Sequence, residues 1–176
     1  MNSIILTGFM GTGKTTVGRE LARRLQFRFV DMDALLEERQ GRTIRQIFES
    51  DGEAHFRQIE AAMCRELADW QRCVIATGGG ALVDRANLAA FTAHNLVICL
   101  DCEPEELWQR LETSQHRPML DSQDRKTRLL QLLADRTPAY AAVPYHIDTT
   151  QITVAETAEQ AHELWQQWRK SEEGRR

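Results

Sequence analysis

The strongest chemical signal in this 176-residue sequence is a glycine-rich segment close to the amino terminus. Residues 8–15, Gly-Phe-Met-Gly-Thr-Gly-Lys-Thr, fit the pattern G-x-x-x-x-G-K-[ST], in which backbone N–H groups at the start of a helix cradle phosphate oxygens. Lys14 adds positive charge at the β- and γ-phosphates, and the Thr15 hydroxyl can bind Mg²⁺. A dinucleotide-binding pattern does not fit, because its third glycine would fall at Thr16. The segment therefore predicts binding of a nucleoside triphosphate.

Two carboxylates, Asp31 and Asp33, follow the second short apolar run of the sequence. Acidic residues also serve as simple caps at strand ends. In an open α/β sheet, however, ligands bind beyond the carboxyl ends of the strands, and these two residues would lie there beside the phosphate-binding segment. One carboxylate can then reach the Mg²⁺ shell, and the other can hold a hydroxyl of a substrate.

Three consecutive glycines end a third apolar run, in Thr77-Gly78-Gly79-Gly80. A simple turn needs one or two glycines, and each one costs chain entropy on folding. A run of three at the edge where ligands collect favours a binding site, in which something closely approaches the backbone.

Three arginines supply the remaining signal. Arg57 follows Glu53 by four residues and precedes Glu60 by three, so both carboxylates can orient it on a helix, although such a group is usually a solvated ion-pair face. Arg117 lies in an irregular polar stretch, and Arg136 lies in Arg-Thr-Pro-Ala-Tyr. A planar guanidinium suits the capture of a carboxylate or phosphate through two hydrogen bonds.

Apolar runs of strand length alternate with longer segments of helical period, which predicts an α/β fold with a parallel sheet. The expected strands lie at residues 3–7, 29–30, 74–76, 96–100 and 145–147. Ser50 and Glu53 resemble a capping box at the start of a helix. We expect one domain over residues 1–170 and a polar, frayed tail at 171–176, with residues 114–125 as a surface loop or a mobile lid.

The composition excludes several other classes of protein. The net charge is −4, from 22 Lys and Arg against 26 Asp and Glu, and there is no basic stripe, which argues against binding nucleic acid. No apolar run is long enough to span a bilayer, and the amino terminus has no signal-peptide pattern, so we expect a cytoplasmic protein without membrane contact. Cys99 and Cys102 form a C-x-x-C, but without a second pair or a histidine at ligand spacing they are interpreted as free thiols.

In their order and spacing, these segments resemble shikimate kinase of the P-loop type. The resemblance covers nearly the whole chain, through segments at 8–15, 31–33, 56–60 (Phe-Arg-x-x-Glu), 77–80, 117–120 (Arg-Pro-Met-Leu) and 136–140. Met119 stands where leucine is commoner. The resemblance implies a three-layer α/β/α fold like that of nucleoside monophosphate kinases, with a five-stranded parallel sheet, substrate-binding helices at about 32–61 and a mobile lid at about 112–125.

The resemblance also implies an activity, phosphoryl transfer from ATP to the 3-hydroxyl of shikimate with Mg²⁺, in the route to chorismate and aromatic amino acids. The implied catalytic residues are Lys14, Asp33 and Arg117. The implied nucleotide-binding residues are Gly11, Thr12, Gly13, Lys14, Thr15, Thr16, Arg110 and Arg117, with Arg110 near the adenine. The implied shikimate-binding residues are Asp33, Arg57, Gly79, Gly80 and Arg136, and the implied metal-site residues are Thr15 and, in the outer shell, Asp31. We expect a monomer.

Two alternative functions stay open at this point. A gluconate kinase would also present arginines to a substrate carboxylate. A nucleotide-dependent binding module would use the phosphate-binding segment without a small-molecule acceptor, but it would not require Asp33, Arg57 and Arg136 together.

Overall fold

The structure, a computed structural model, describes residues 2–112 and 125–174. Its strands are β1 (Ile4–Thr7), β2 (Arg28–Asp31), β3 (Cys73–Ala76), β4 (Leu96–Asp101) and β5 (Tyr145–Asp148). Its helices within these ranges are α1 (Lys14–Leu25), α2 (Met32–Gln40), α3 (Ile44–Ala68), α4 (Arg85–Thr92), α5 (Pro104–Glu112), α6 (Arg125–Tyr140) and α7 (Val154–Glu173). A single 3₁₀ turn spans Ala81–Val83.

The five strands form one sheet in the order β2-β3-β1-β4-β5, and each pairing is parallel. The predicted five-stranded parallel sheet is therefore confirmed. Because all strands run the same way, the segments that leave their carboxyl ends meet at one edge. The phosphate-binding segment, the Asp31–Asp33 pair and the three glycines all lie at that edge.

Alternate residues of each strand enter two separate cores, as the pleat of a strand requires. Ile5, Val97 and Cys99 pack on one side against α2 to α6. Leu6 and Ile98 pack on the other side against α1 and α7. Both faces of the sheet are therefore covered, which gives the three-layer α/β/α arrangement and explains the continuously apolar strands.

Helix α3 is bent at Gly52, whose backbone is not helical (φ 81°, ψ 169°). The helix begins with a capping box of Thr43 and Gln46, in which each side chain accepts from the other residue's backbone N–H. The capping box predicted at Ser50 and Glu53 is wrong, since the Ser50 hydroxyl donates instead to the Gln46 carbonyl one turn earlier. Aromatic contact between Phe48 and Phe56 spans the bend, with ring centroids 4.6 Å apart.

The structure also bears on the predicted tail, the predicted lid and the four cysteines. Residues 171–173 of the predicted polar tail are helical and not frayed, because the helical hydrogen bonding of α7 extends to Glu173, beyond the last buried side chain. Residues 113–124 of the predicted lid, including Arg117, lie outside the described residues, whereas Glu112 ends α5 and Arg125 begins α6. The four cysteines are free thiols, as expected. Among the described residues, no helix is both long enough and apolar enough to cross a membrane.

Replacing Gly8 with alanine is expected to destabilise the fold strongly. Gly8 has φ of 132°, and a β-carbon built there overlaps the Leu100 carbonyl oxygen of the neighbouring strand. Overpacking together with a left-handed backbone makes a loss of about 3 kcal/mol the expected change in the free energy of unfolding. Urea unfolding of Gly8→Ala and of wild type would measure it.

The matched control is Gly174→Ala at the end of α7, where φ is −75° and a β-carbon meets only ordinary contacts. This variant should unfold within about 0.5 kcal/mol of wild type. Equal stability of the two variants would contradict the tight packing of Gly8 on β4.

Candidate active site

The phosphate-binding loop is held by glycine conformations and by hydrogen bonds inside the loop. Gly11 and Gly13 have positive φ, and α1 begins directly afterwards at Lys14, as the sequence predicts. Lys14 Nζ donates to the carbonyl oxygens of Gly8 and Phe9, at 2.9 and 2.8 Å. The loop therefore places a cation and a helix amino terminus together, an arrangement suited to binding phosphate groups.

The side chains of the three threonines in this region have different surroundings. Thr12 is buried, and its hydroxyl donates to the Phe9 carbonyl at 2.9 Å, so that side chain holds the loop closed. Thr15 and Thr16 lie exposed on the first turn of α1. The Thr15 hydroxyl donates to Asp31 Oδ2 at 2.9 Å. Of the three, Thr15 therefore connects the loop to the acidic pair at the end of β2.

Thr15 and Asp31 are chemically suited to hold Mg²⁺. They offer a hydroxyl and a carboxylate oxygen at hydrogen-bonding distance, and Mg²⁺ binds oxygen ligands while keeping several of its waters. Asp31 also caps α2, since its Oδ1 accepts from the backbone N–H of Ala34 at 3.3 Å. Two separate contacts therefore fix this carboxylate at the mouth of the phosphate-binding loop.

Asp33 lies on the first turn of α2 and is largely removed from water. Burial, followed by the negative charge of Asp31, raises its pKa to about 6, while Lys14 opposes that shift. A β-carbon built on Gly78 would lie only 2.6 Å from Asp33 Oδ1. The first of the three glycines is thus needed to admit this carboxylate.

Arg57 is held by the two carboxylates that the sequence places on its helix face. Its Nη1 donates to Glu60 Oε2 at 2.6 Å, and its Nη2 donates to Glu53 Oε1 at 3.2 Å. Glu60 is buried, and burial raises its pKa while the Arg57 guanidinium opposes the shift. The exposed pair with Glu53 contributes little, so Glu60 is the residue that orients Arg57.

Arg136 comes from α6 and meets Arg57 at the glycine turn. A β-carbon on Gly80 would lie 3.1 Å from Arg57 Nη1 and 3.3 Å from Arg136 Nη2, and one on Gly79 would lie 3.2 Å from Arg136 Nη1. Arg136 is buried, and its guanidinium lies 5.8 Å from the centre of the Phe9 ring. Two arginines that are distant in the sequence therefore face one point at the edge of the sheet.

Two predicted site residues lie apart from this group or beyond the described residues. Arg110 lies on α5, where it donates to Glu106 at 2.9 Å and to the carbonyl oxygen of Thr149 at 2.7 Å, beyond the end of β5. Arg117 lies outside the described ranges 2–112 and 125–174.

Tyr140 is a site residue to which the sequence analysis assigned no role. It is buried, which raises its pKa to about 12, and its hydroxyl donates to the Gly79 carbonyl at 2.5 Å. This bond ties α6 to the glycine turn. A signal was available, because Tyr140 follows Arg136 by four residues and therefore lies on the same face of a helix.

The arrangement as a whole can bind two anions side by side. Lys14 and the amino terminus of α1 suit a polyphosphate, whereas the paired guanidiniums of Arg57 and Arg136 suit a carboxylate or a second phosphate. Asp33, between them, can accept a hydrogen bond from a hydroxyl group. A phosphoryl group and an alcohol that also carries an anion can therefore be held together here.

Comparison with known proteins agrees with this geometry. The family model described as shikimate kinase matches residues 10–167. The shikimate kinase of Caldanaerobacter subterraneus subsp. tengcongensis is 39% identical over 160 residues, which cover 91% of this chain and 94% of that protein. The shikimate kinase of Geobacter sulfurreducens is 44% identical over 147 residues, which cover 84% of this chain and 81% of that protein.

A solved structure of shikimate kinase from Acinetobacter baumannii, in complex with shikimate, has the same fold. Its TM-score is 0.88 at 36% sequence identity, and the match covers 95% of this chain and 94% of that one. The sequence and the fold thus agree over nearly the full length of the protein, and the chain belongs to the shikimate kinase family.

Proposed function

We propose that this protein transfers the γ-phosphoryl group of ATP to the 3-hydroxyl of shikimate and so forms shikimate 3-phosphate and ADP. The observation that carries the proposal is the meeting of Arg57 and Arg136 at Gly80, beside Asp33 and the phosphate-binding loop. The two guanidiniums fit the single carboxylate of shikimate, and Asp33 fits its hydroxyls. The nearby Lys14 fits the phosphates of the donor.

Arg57 and Arg136 clamp the carboxylate of shikimate, with Gly79 and Gly80 beneath it. Burial of Arg136 and of Glu60 excludes water from the polar base of this pocket, which strengthens the ionic contacts. The clamp fixes the ring so that one hydroxyl reaches Asp33. Positioning of this kind supplies much of the rate in phosphoryl transfer, because the loose transition state needs little covalent assistance.

Asp33 holds the attacking hydroxyl and points its oxygen at the γ-phosphorus. The new bond joins that oxygen to phosphorus as the bond to the β–γ bridging oxygen breaks, and the hydroxyl proton passes to Asp33 or to water. With a pKa of about 6, Asp33 is ionised at neutral pH and can accept the hydrogen bond that this orientation requires.

Lys14 and the backbone of Gly11, Thr12 and Gly13 bind the phosphates, next to Thr15 and Thr16 at the start of α1. Mg²⁺, held by Thr15 with Asp31 in its outer shell, supplies neutralisation of phosphate charge when bound. Arg110 contacts the adenine side of the nucleotide, and Arg117 approaches the transferring phosphoryl group from a lid at about 112–125. We also propose that the single kinase domain acts as a monomer in the cytoplasm.

The decisive experiment follows ADP release in a coupled assay with Mg²⁺ and ATP and compares shikimate, gluconate and no acceptor. We expect release that depends on shikimate, and phosphorus NMR should place the new ester on the 3-hydroxyl. Release with gluconate alone would identify a gluconate kinase. Equal release in all three reactions would support the alternative of a nucleotide-dependent binding module.

The pH dependence of turnover should report the raised pKa of Asp33. As the pH falls below about 6, Asp33 binds a proton, and kcat/KM for shikimate should fall about tenfold per pH unit; an ordinary carboxyl would place this limb near pH 4. Asp33→Asn should lose most of the activity and lack the acid limb. An acid limb near pH 4 in wild type would contradict the role given to Asp33.

The same pKa shift has a consequence for stability. The pKa of Asp33 is higher in the folded state than in the unfolded state, so the folded state binds the carboxyl proton more tightly. Above about pH 6 the buried carboxyl is ionised, and its charge destabilises the folded state in full. Asp33→Asn should therefore unfold at a higher temperature than wild type at neutral pH. Calorimetry near pH 7 and near pH 4 measures this, and the difference should shrink at the lower pH.

Replacing Arg57 should weaken shikimate binding far more than ATP binding. Arg57→Ala removes one of the two guanidiniums that hold the desolvated carboxylate of shikimate. The expected loss of binding free energy is about 2–4 kcal/mol, which raises KM for shikimate about 30- to 1000-fold. KM for ATP should change less than about threefold. Initial rates with each substrate varied in turn provide both values.

Two further variants make this result specific. Arg57→Lys keeps a positive charge opposite buried Glu60, so it should fold normally while still losing the two-pronged contact with a carboxylate. Arg45→Ala removes an exposed guanidinium that pairs with Glu49 on the same helix, and it should leave both KM values unchanged. A rise in KM for ATP alone would remove Arg57 from the clamp.

A further inference from the structure

A second group of chemically reactive side chains lies beside the phosphate-binding loop but outside the site described above. Cys99 and Asp101 belong to the end of β4, and His146 belongs to the neighbouring strand β5. Their Sγ, carboxylate and ring-nitrogen atoms all lie within 4.8 Å of one another. We propose that these three residues form a binding site for a divalent ion of the Zn²⁺ type, independent of the proposed kinase activity.

The sheet register brings the three side chains together. Cys99 pairs with His146 across β4 and β5, and it pairs with Thr7 across β4 and β1. In parallel strands, register partners point to the same face, and Asp101, two residues after Cys99, points there as well. The pairing of the strands therefore imposes this juxtaposition, and it does not depend on the conformation of a loop.

The distances suit coordination of one ion. Asp101 Oδ1 lies 3.4 Å from Cys99 Sγ, and Asp101 Oδ2 lies 2.7 Å from His146 Nδ1. Zn²⁺ binds sulfur at about 2.3 Å and nitrogen or oxygen at about 2.0–2.2 Å, which separates neighbouring ligand atoms by about 3–4 Å in a tetrahedral site. Small adjustments of the carboxylate would complete the geometry, with the ion between Asp101 and His146.

His146 is already oriented as a metal ligand would be. Its Nε2 lies 3.0 Å from the Val143 carbonyl oxygen, which can only accept a hydrogen bond, so the Nε2 proton is fixed there. Nδ1 faces Asp101 Oδ2 at 2.7 Å, so an ion would bind Nδ1 in place of the proton shared with that carboxylate. Histidine ligands of metals characteristically donate their other N–H to a carbonyl or carboxylate in this manner.

A cavity gives access to the group. Its volume is about 260 Å³, and Asp101 and His146 line it together with Tyr140 and Phe9. Asp101 and His146 are partly exposed, whereas Cys99 is buried. An ion can therefore enter from the side of Asp101 and His146, and its fourth ligand can be a water in the cavity.

Thr7 provides an independent sign that a polar ligand belongs here. Its side chain is fully buried, and its hydroxyl is the one buried side-chain polar atom among the described residues without a hydrogen-bond partner. Thr7 stands next to Cys99 in the sheet register, on the same face. Buried hydroxyls are almost always paired, so an unpaired one next to Cys99 points to a partner that residues 2–112 and 125–174 do not supply.

The donor types select the metal. Sulfur and imidazole nitrogen favour Zn²⁺ over Mg²⁺ or Ca²⁺, which prefer oxygen ligands. Binding forms a bond from Cys99 Sγ to the ion and releases the thiol proton to solvent.

The test titrates purified protein with Zn²⁺ in competition with a coloured chelator, with Mg²⁺ in excess to occupy the oxygen-ligand site. We expect one Zn²⁺ per chain, bound at least tenfold more weakly by Cys99→Ala and by His146→Gln. Cys73→Ala, at a buried thiol at the start of β3, and His162→Gln, on α7, are the matched controls and should bind as wild type does.

Co²⁺ in place of Zn²⁺ identifies the ligands directly. Wild type should show a thiolate-to-cobalt charge-transfer band, which Cys99→Ala should lose while Cys73→Ala keeps it. Thermal unfolding without metal checks that each variant folds. Absence of the charge-transfer band in wild type, or equal Zn²⁺ affinity in Cys99→Ala and wild type, would overturn the proposal.

Discussion

Charged side chains lie directly against the backbone at Gly78, Gly79 and Gly80, so a β-carbon would collide with Asp33 at Gly78 and would be tightly packed at the other two glycines. Asp33 lies against Gly78, Arg136 lies against Gly79, and Arg57 and Arg136 both lie against Gly80. The same constraint operates at Gly8, against the Leu100 carbonyl. Because glycine has no side chain, other elements can pack directly against its backbone. This close packing allows α2, α3, α6 and the phosphate-binding loop to converge on one small region.

The electrostatics of the site follow from that convergence. An acidic chain gathers three cations at one edge of the sheet. Lys14 donates to backbone carbonyls and Arg57 to Glu60, while Arg136 lies near Glu60 and the Tyr140 hydroxyl. Glu60 is the most buried of these carboxylates, and it neutralises part of the positive charge before any anion binds. In the proposed function, a substrate anion would meet guanidiniums that are already oriented and partly desolvated, which reduces the entropy lost on binding.

Much of this arrangement could be predicted from the sequence, where residue type and local spacing determine the structure. Continuous apolar runs indicated the parallel strands, and the glycine-lysine-threonine pattern indicated the loop and the start of α1. The contact of Arg57 with Glu53 and Glu60 followed from helix periodicity. Contacts that depend on packing between distant elements were not predictable in this way. The bond from Tyr140 to Gly79 and the row formed by Thr7, Cys99 and His146 depend on strand order and register, which a single sequence does not specify.

The errors have the same origin. Ser50 and Glu53 have the residue types and spacing of a capping box, but the helix had already begun at Ile44, where Thr43 and Gln46 satisfy the free N–H groups. The interpretation of Cys99 and Cys102 as free thiols is confirmed, but their spacing did not indicate His146, which lies beside Cys99 in the sheet and is distant in the sequence. Local sequence patterns predict helix ends and loops well when no other residue nearby can form the same hydrogen bonds. They do not predict which residues become neighbours in the sheet.

The bend at Gly52 has a mechanical consequence for the pocket. Asp33 lies before it, on α2, and Arg57 lies after it, on the second half of α3. Asp33 and Arg57 therefore do not lie on one continuous helix, and the orientation of Asp33 does not fix that of Arg57. The angle between the two halves is set by side chains that bridge the break, such as the rings of Phe48 and Phe56. The separation of Asp33 and Arg57, the two residues to which we assign the hydroxyl and the carboxylate of the acceptor, therefore depends on aromatic packing at the bend as well as on the helices themselves.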